Sequence, residues 1–344
     1  MQEFIVTKLP DTVTVAYVDS DSIAYQAAFA VQKSHYIFTN TVTGEKSVTF
    51  PNAKQAKGWL EHQAEEAELF GFEFNAKDWV REKVEITGTH EQAIEATKSA
   101  LKGWLKNAPK REWHGFLTEK GTHKVKDVKG LEKRYQGNRS TLVSPTYLVP
   151  CRDYLHSLPE MQVVKNGFEA DAIVIASAEK KGETACLIAL DKDLRIAEGT
   201  YIIDISYEPA MITIARDGVG GLWVCPIKSK PAKKLVKFNG CGFKWLCYQA
   251  VSGDAADGFG GLKGVGGAAV IKALEGCKTH KDCLTAIYET FYKPHGQFNY
   301  ESWDGQDMSL TPLEMMKQHF SLPYMEKSAK DSFNFERYGW TPNE

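Results

Sequence analysis

The stretch FEADAIVIASAEKKGETACLIALDKDLRIA, Phe168 to Ala197, decides the fold. It opens with Glu169 and Asp171 ahead of an apolar helical pattern (Ala172, Ile173, Ile175, Ala176), which Gly182 is placed to stop. Thr184 to Leu190 is then an apolar run of strand length that ends in Asp191-Lys192-Asp193. Strand, helix and strand in this order predict a parallel α/β unit, where functional groups collect at the carboxyl ends of the strands. Each acid also has an ordinary explanation. Acids in a first helical turn suit the macrodipole and capping, and Asp-x-Asp after a strand often forms a turn. Convergence tips the balance, because clustered like charges are costly unless a cation neutralises them.

Further carboxylates recur in equivalent settings on either side. Thr12 to Val18 (TVTVAYV) reads as a strand ending in Asp19-Ser20-Asp21, before a helical SIAYQAAFAV. Asp19 is best placed to face a site at the strand end, whereas Asp21 could equally serve as an N-cap. Downstream, a helical GFKWLCYQAV runs into Ser252-Gly-Asp254-Ala-Ala-Asp257-Gly, where turn-forming glycines carry two more acids. Trp113 to Thr118 is a further short strand, ending near Glu119.

Composition bounds the class without choosing the partner. With 344 residues, 43% hydrophobic, 25% charged and a formal charge of -2, the chain reads as an ordinary soluble globular protein of one or two domains. The distribution of charge says more. Lys110 to Arg139 holds nine Lys/Arg against four Asp/Glu, and Gly218 to Gly253 holds six Lys and no acid. Acidic clusters beside basic stretches fit a protein that holds metal ions and a polyanion together. Seven irregularly spaced cysteines do not form a secreted disulfide framework, and Cys277-Lys-Thr-His280-Lys-Asp-Cys283 lacks the second ligand pair a zinc module needs. No cationic, apolar leader pattern or membrane-length apolar run is present, so the expectation is a cytoplasmic protein without a membrane partner.

Between these acids lie segments with no visible chemistry. Tyr36 to Phe50 reads as a hairpin around Thr43-Gly44, with helices expected over roughly Ala53 to Phe70 and Glu91 to Lys106. Tyr201 to Ile205 reads as a strand, and Met211 to Ile227 as a hairpin around Asp217-Gly218. The run GVGGAA from Gly264 is the weak form of a dinucleotide fingerprint, but a carboxylate-bearing turn stands where that motif needs a strand. No Lys-Ser/Thr follows the glycines, and GDAADG lacks the ligand ladder of an EF-hand. A helix-hairpin-helix suits the pattern better, its glycines (Gly261, Gly264, Gly266, with Lys263) letting backbone N–H groups approach a DNA phosphate.

Six motifs, in order, resemble those of the 5'-nuclease superfamily, the flap endonucleases and 5'→3' exonucleases, and especially its phage-type members. They are VDSD (Val18 to Asp21), YQGNR (Tyr135 to Arg139), EAD (Glu169 to Asp171), LDKD (Leu190 to Asp193), GDAAD (Gly253 to Asp257) and the GLKGVG turn. The resemblance spans about residues 13 to 275, leaving out the segment from His35 to about Pro109 and the tail after about Cys277. It implies a PIN-like (Rossmann-like) α/β domain over 1–208, with a mostly parallel central sheet, helices on both faces and an insertion over about 35–109. A helical part over 209–344 would carry the helix-hairpin-helix at about 245–275.

The activity so implied is hydrolysis of phosphodiester bonds of DNA, or of RNA in hybrids, from or near a 5' end. It would serve replication, primer removal or host-DNA degradation, performed by a monomer in the host cytoplasm, with replication proteins as further partners. Carried over by position, Asp19, Glu169, Asp171 and Asp191 would hold one Mg²⁺, and Asp193, Asp254 and Asp257 a second, with Asp191 near both and Mn²⁺ able to substitute. Asp21 and Glu119 are further candidate ligands, although the family places an Asp where Glu119 stands. Tyr135, Gln136, Arg139, Lys133 and Arg134 would meet the substrate. Phage relatives have Tyr-Lys where this chain has Tyr135-Gln136, so Lys133, Arg134 or Arg139 would have to supply the charge. A DNA-binding protein that kept the fold and lost the chemistry is the alternative.

Overall fold

A computed structural model describes residues 3–120, 131–134, 137, 143–165, 167–226, 236–328 and 331–342. The strands in chain order are β1 (Ile5–Val6), β2 (Val15–Asp19), β3 (Gln32–Asn40), β4 (Trp79–Thr87), β5 (Glu112–Thr118), β6 (Met161–Val164), β7 (Ala185–Ala189), β8 (Tyr201–Asp204), β9 (Met211–Ile214), β10 (Gly221–Pro226), β11 (Val236–Cys241), β12 (Phe298–Glu301) and β13 (Asp307–Leu310). The α-helices are α1 (Ser20–Ala30), α2 (Ala53–Phe70), α3 (His90–Leu105), α4 (Leu148–His156), α5 (Ala170–Lys181), α6 (Phe243–Ser252), α7 (Gly267–Leu274), α8 (His280–Ile287) and α9 (Pro312–Ser321). They fall into two compact units, Met1–Ser22 with Lys102–Val143 and His156–Glu344, and Ile23–Leu101 with Ser144–Leu155.

The larger unit is built on a seven-stranded sheet of order β1-β9-β8-β7-β2-β5-β6. Five adjacent strands, β8-β7-β2-β5-β6, are mutually parallel; at the β8 end β9 joins antiparallel to β8, and β1 antiparallel to β9. The expected α/β class with a mainly parallel sheet is what the chain adopts. β2, β7 and β8 are buried at every position, as apolar runs in a parallel sheet must be. Two carboxylates break that rule: Asp19 and Asp204 are 1% and 2% exposed.

Topology fixes where a site can form. In chain order the parallel strands are β2, β5, β6, β7 and β8, and in space they run β6-β5-β2-β7-β8, so the winding direction reverses between β2 and β7. The crevice outside the carboxyl ends of strands at such a reversal is the usual ligand position. Asp19 ends β2 and Asp191 follows β7 by two residues. Helix α5 comes after β6, so its first turn starts on the same edge. It packs over β2, β5 and β7 by burying Ala172, Val174, Ile175 and Ala178, and it ends at Gly182 (φ 60°) as the sequence predicts.

Two expected hairpins differ. β9 and β10 do not pair across Asp217-Gly218: β9 joins β8 and β1, and β10 pairs with β11. β8, buried at every position, takes β9 along its whole length, while β10 pairs over six residues with β11. Tyr36 to Phe50 closes only through the bridges Tyr36↔Phe50 and Thr39↔Lys46, while the full ladder of β3 is with β4. Both belong to the smaller unit, where Phe38, Phe50 and Ala56 form a small core with Trp59, Leu60 and Trp79 against it.

In the larger unit one core runs from the sheet into the C-terminal helices. It joins Leu187, Ile175 and Ile202 to Phe243, Leu246, Val270, Leu284, Met316, Phe320 and Trp340. Residues of α6 and of the turn after it are thereby held at the sheet edge that carries the acids.

Candidate metal centre

The acids converge as two adjoining groups. Asp19 is buried, one carboxylate oxygen accepts from the Ser22 hydroxyl, and the other, Oδ1, has no hydrogen-bond partner. Burial pushes its carboxyl up to about 7, opposed by the Ser22 hydrogen bond and reinforced by the charges of Asp21 and Asp191. Asp171 lies in the first turn of α5, and its carboxyl is held well above the usual range by burial and by Asp19, Asp191, Glu169 and Asp21. Glu169 sits at the N-cap of α5 but makes no side-chain capping bond. Of its ordinary explanations the helix dipole remains and a capping bond does not.

Asp191 stands between the groups. Its Oδ1 accepts the Asp193 N–H at 2.9 Å, so it does make the turn that Asp-x-Asp forms, and its charge also acts on Asp19, Asp171 and Asp193. Asp193 is pushed up to about 6 by burial and by Asp191, with Asp257 and Asp254 adding to the shift against Lys192. One carboxylate oxygen from each of Asp193, Asp254 and Asp257, all three buried, lies within 4.8 Å of the others.

Backbone close approach holds the second group. Asp254 and Phe259 exchange backbone hydrogen bonds of 3.0 and 3.1 Å across the tight turn, and the Ala256 N–H donates to the Asp254 carboxylate at 2.8 Å. The arms of the turn cross at Gly253 and Gly261. A Cβ on Gly261 (φ 60°) would lie 2.3 Å from the Gly253 nitrogen. Gly261 is thus committed to internal packing. Gly264 (φ 84°) and Gly266 are exposed with open space where a Cβ would point, beside an exposed Lys263.

The remaining predicted residues are spread more widely. The Asp21 carboxylate, in the first turn of α1, accepts the Thr118 N–H at 2.9 Å and so ties that turn to the end of β5. Glu119, just past β5, is exposed. Lys133 and Arg134 are exposed and line a cavity of about 550 Å³ with Ser252, Ala255, Gly258 and Gly260. Tyr135, Gln136 and Arg139 lie outside the described residues.

Lys192 and Gln249 are site residues that the sequence pattern did not single out. The Lys192 ammonium contacts Asp254 closely and Asp193 at 3.2 Å. Burial works against its charge, yet the two acids raise its pKa. Its carbonyl accepts the Trp245 indole N–H at 2.9 Å. The Gln249 amide N–H donates to Asp193, and its Oε1 is buried with no partner. A lone glutamine on the apolar run WLCYQAV was the available signal for the latter.

This donor set fits hard divalent cations. It is all oxygen, rich in buried carboxylate, and includes an orphaned Asp19 oxygen that a cation would satisfy. Clustered carboxylates favour a cation among them, and Lys192 is the positive group that Asp193 and Asp254 have from the protein itself.

No family model matches the chain, and no curated protein matches it. Among solved structures it is similar to a mutant of bacteriophage T5 5'-exonuclease, with TM-score 0.39 and 11% identity, covering 90% of this chain and 84% of that one. A bacteriophage T5 protein co-crystallised with metal ions gives TM-score 0.41 and 11% identity over 90% and 86%. A bacteriophage T5 flap endonuclease complex with DNA and metal ions gives 0.39 and 13% over 68% and 81%. These are distant likenesses, so what the site can do rests on the residues of this chain.

Proposed function

We propose that the chain is a divalent-cation-dependent 5' nuclease that hydrolyses phosphodiester bonds of DNA, with RNA in hybrids as a further substrate. Asp19, Glu169, Asp171 and Asp191 would hold one Mg²⁺, and Asp193, Asp254 and Asp257 a second, with Mn²⁺ able to replace either. The carrying observation is the position of Asp191, whose charge acts on acids of both groups at the sheet's reversal point. When bound, such a pair of cations supplies an activated water and stabilises the leaving oxygen.

The protein's own part is to position. Asp191 links the two groups, and its bond to the Asp193 N–H fixes their spacing. Lys133 and Arg134 offer charge to the phosphates of an incoming strand, while Lys263 and the open backbone at Gly264 and Gly266 suit a duplex phosphate. The role would be replication, primer removal or degradation of host DNA by a phage nuclease.

The test is cleavage of a 5'-flap duplex and a blunt duplex, each labelled at either end, in Mg²⁺ and in EDTA. Mg²⁺-dependent release of short products from the 5' end is expected. Clear binding with intact substrate in every divalent ion would overturn the enzyme in favour of a DNA-binding protein, with Gln136 the residue to examine.

A further inference from the structure

Trp303 stands in the tail, outside every motif that marks the acidic site. It is the tip of the β12–β13 hairpin, and 42% of it is exposed. The loop that carries it is closed by hydrogen bonds. The Ser302 N–H donates to the Gln306 carbonyl at 2.8 Å, the Ser302 hydroxyl to Asp304 at 2.6 Å, and the Gln306 N–H to the Ser302 hydroxyl at 2.9 Å. Gly305 (φ 78°) makes the turn. The ring is therefore mounted on a loop whose backbone is well bonded, which limits what ordering the loop would cost on binding.

The hairpin is also tied to the basic segment. The Trp303 N–H donates to the Leu131 carbonyl at 2.9 Å, and Leu131 is buried against Phe259 and Leu322. Three residues on, the Arg134 guanidinium lies over the Trp303 ring, 5.3 Å from its centroid. Arg134 in turn shares with Lys133 the cavity of about 550 Å³ whose opposite wall is the turn bearing Asp254 and Asp257. No carboxylate is among the described residues that line it. The indole thus carries on its face a guanidinium that, with the Lys133 ammonium, borders an acid-free cavity of ligand size.

We propose that Trp303 and Arg134 form a binding site for one unpaired nucleotide, its base stacking on the indole and guanidinium and its phosphate meeting Lys133 and Arg134. The proposal rests on the nuclease reading and deepens it, naming an unpaired nucleotide of the substrate strand as what is held next to the cleaving turn. Stacking of this kind is tolerant of sequence and contributes per base, so the site would recognise unpairing rather than a particular base.

The test measures affinity by fluorescence anisotropy in Ca²⁺, which fills oxygen-ligand sites without supporting turnover. Three duplexes are compared: one with a single-nucleotide 5' extension, one with an abasic residue at that position, and one with flush ends. Wild type is expected to prefer the base-bearing extension over the abasic one by roughly tenfold, the effect of one stacked base. Trp303→Ala should erase that preference and Trp303→Phe retain most of it, with thermal melting and the Mn²⁺ binding isotherm confirming an intact fold and metal centre.

A Trp303→Ala protein that still prefers the base-bearing extension would overturn the site, as would equal weakening toward both extensions. Wild type that cleaves and binds DNA yet ignores the base would sink this inference alone. Wild type that binds no DNA in any form would sink the nuclease reading as well.

Discussion

Asp191 is the residue on which the two acidic groups depend, because it is the one whose charge reaches both. Asp191→Ala should abolish cleavage while leaving DNA affinity in Ca²⁺ largely intact, since it removes a ligand together with a repulsive charge. Retained turnover would end the metal assignment. Lys192 is the residue with the opposite sign. Its ammonium neutralises Asp193 and Asp254 where a cation would sit, and charges about 4 Å apart near a surface interact by about 4 kcal/mol. Lys192→Met should therefore tighten binding of the second Mn²⁺ by roughly tenfold in calorimetric titration, and an unchanged isotherm would show that the lysine leaves at no cost.

Titration of the buried acids gives a further outcome at this scale. The folded-state pKa values of Asp19 and Asp193, about 7 and about 6, lie above those of an unfolded chain. Between roughly pH 4 and 7 the metal-free folded state holds more protons than the unfolded state, so stability falls as pH rises through that window. Melting of the EDTA-treated protein should move to lower temperature from pH 5 to pH 8. Asp19→Asn should flatten that slope. A melting point that rises with pH would contradict the burial of these groups.

Among the elements, the turn between α6 and α7 separates glycines that pack from glycines that stay open. A Cβ at Gly261 meets backbone atoms at 2.3 to 2.5 Å in a left-handed conformation, so Gly261→Ala should cost at least about 2 kcal/mol in urea unfolding. Gly266 has ordinary φ and open space. Gly266→Ala should change stability by no more than about 1 kcal/mol while weakening duplex binding, if its backbone approaches a phosphate. Equal destabilisation by both would show the turn to be packed throughout. Sequence could place glycines here but could not sort them, because the difference lies in which backbone crosses which.

At the scale of the whole molecule, Arg195 joins parts of the larger unit that are distant in sequence. It is 2% exposed, and its guanidinium donates to Asp204 at the end of β8 and to Asn239 on β11. Its carbonyl also accepts the Gly242 N–H at 2.8 Å. Removing one partner of such a pair strands the other charge in the interior. Arg195→Met should therefore destabilise by about 3–5 kcal/mol, read by denaturant unfolding, and a much smaller loss would mean that Asp204 finds water or a proton instead.

The sequence by itself determined the parallel α/β class, the end of α5 at Gly182 and the placing of acids at the ends of β2 and β7, because periodicity, a helix-stopping glycine and charge at strand ends are local signals. It did not reveal the partners of β9 and β10, since pairing depends on which edge is free once the sheet has formed. Nor did it reveal Lys192 as a counter-charge, Arg195 as a buried tie, or Trp303 beside Arg134. Those side chains acquire their meaning from neighbours tens to hundreds of residues away, and only the closing of the tertiary structure brings such neighbours within reach of Coulomb forces and contact.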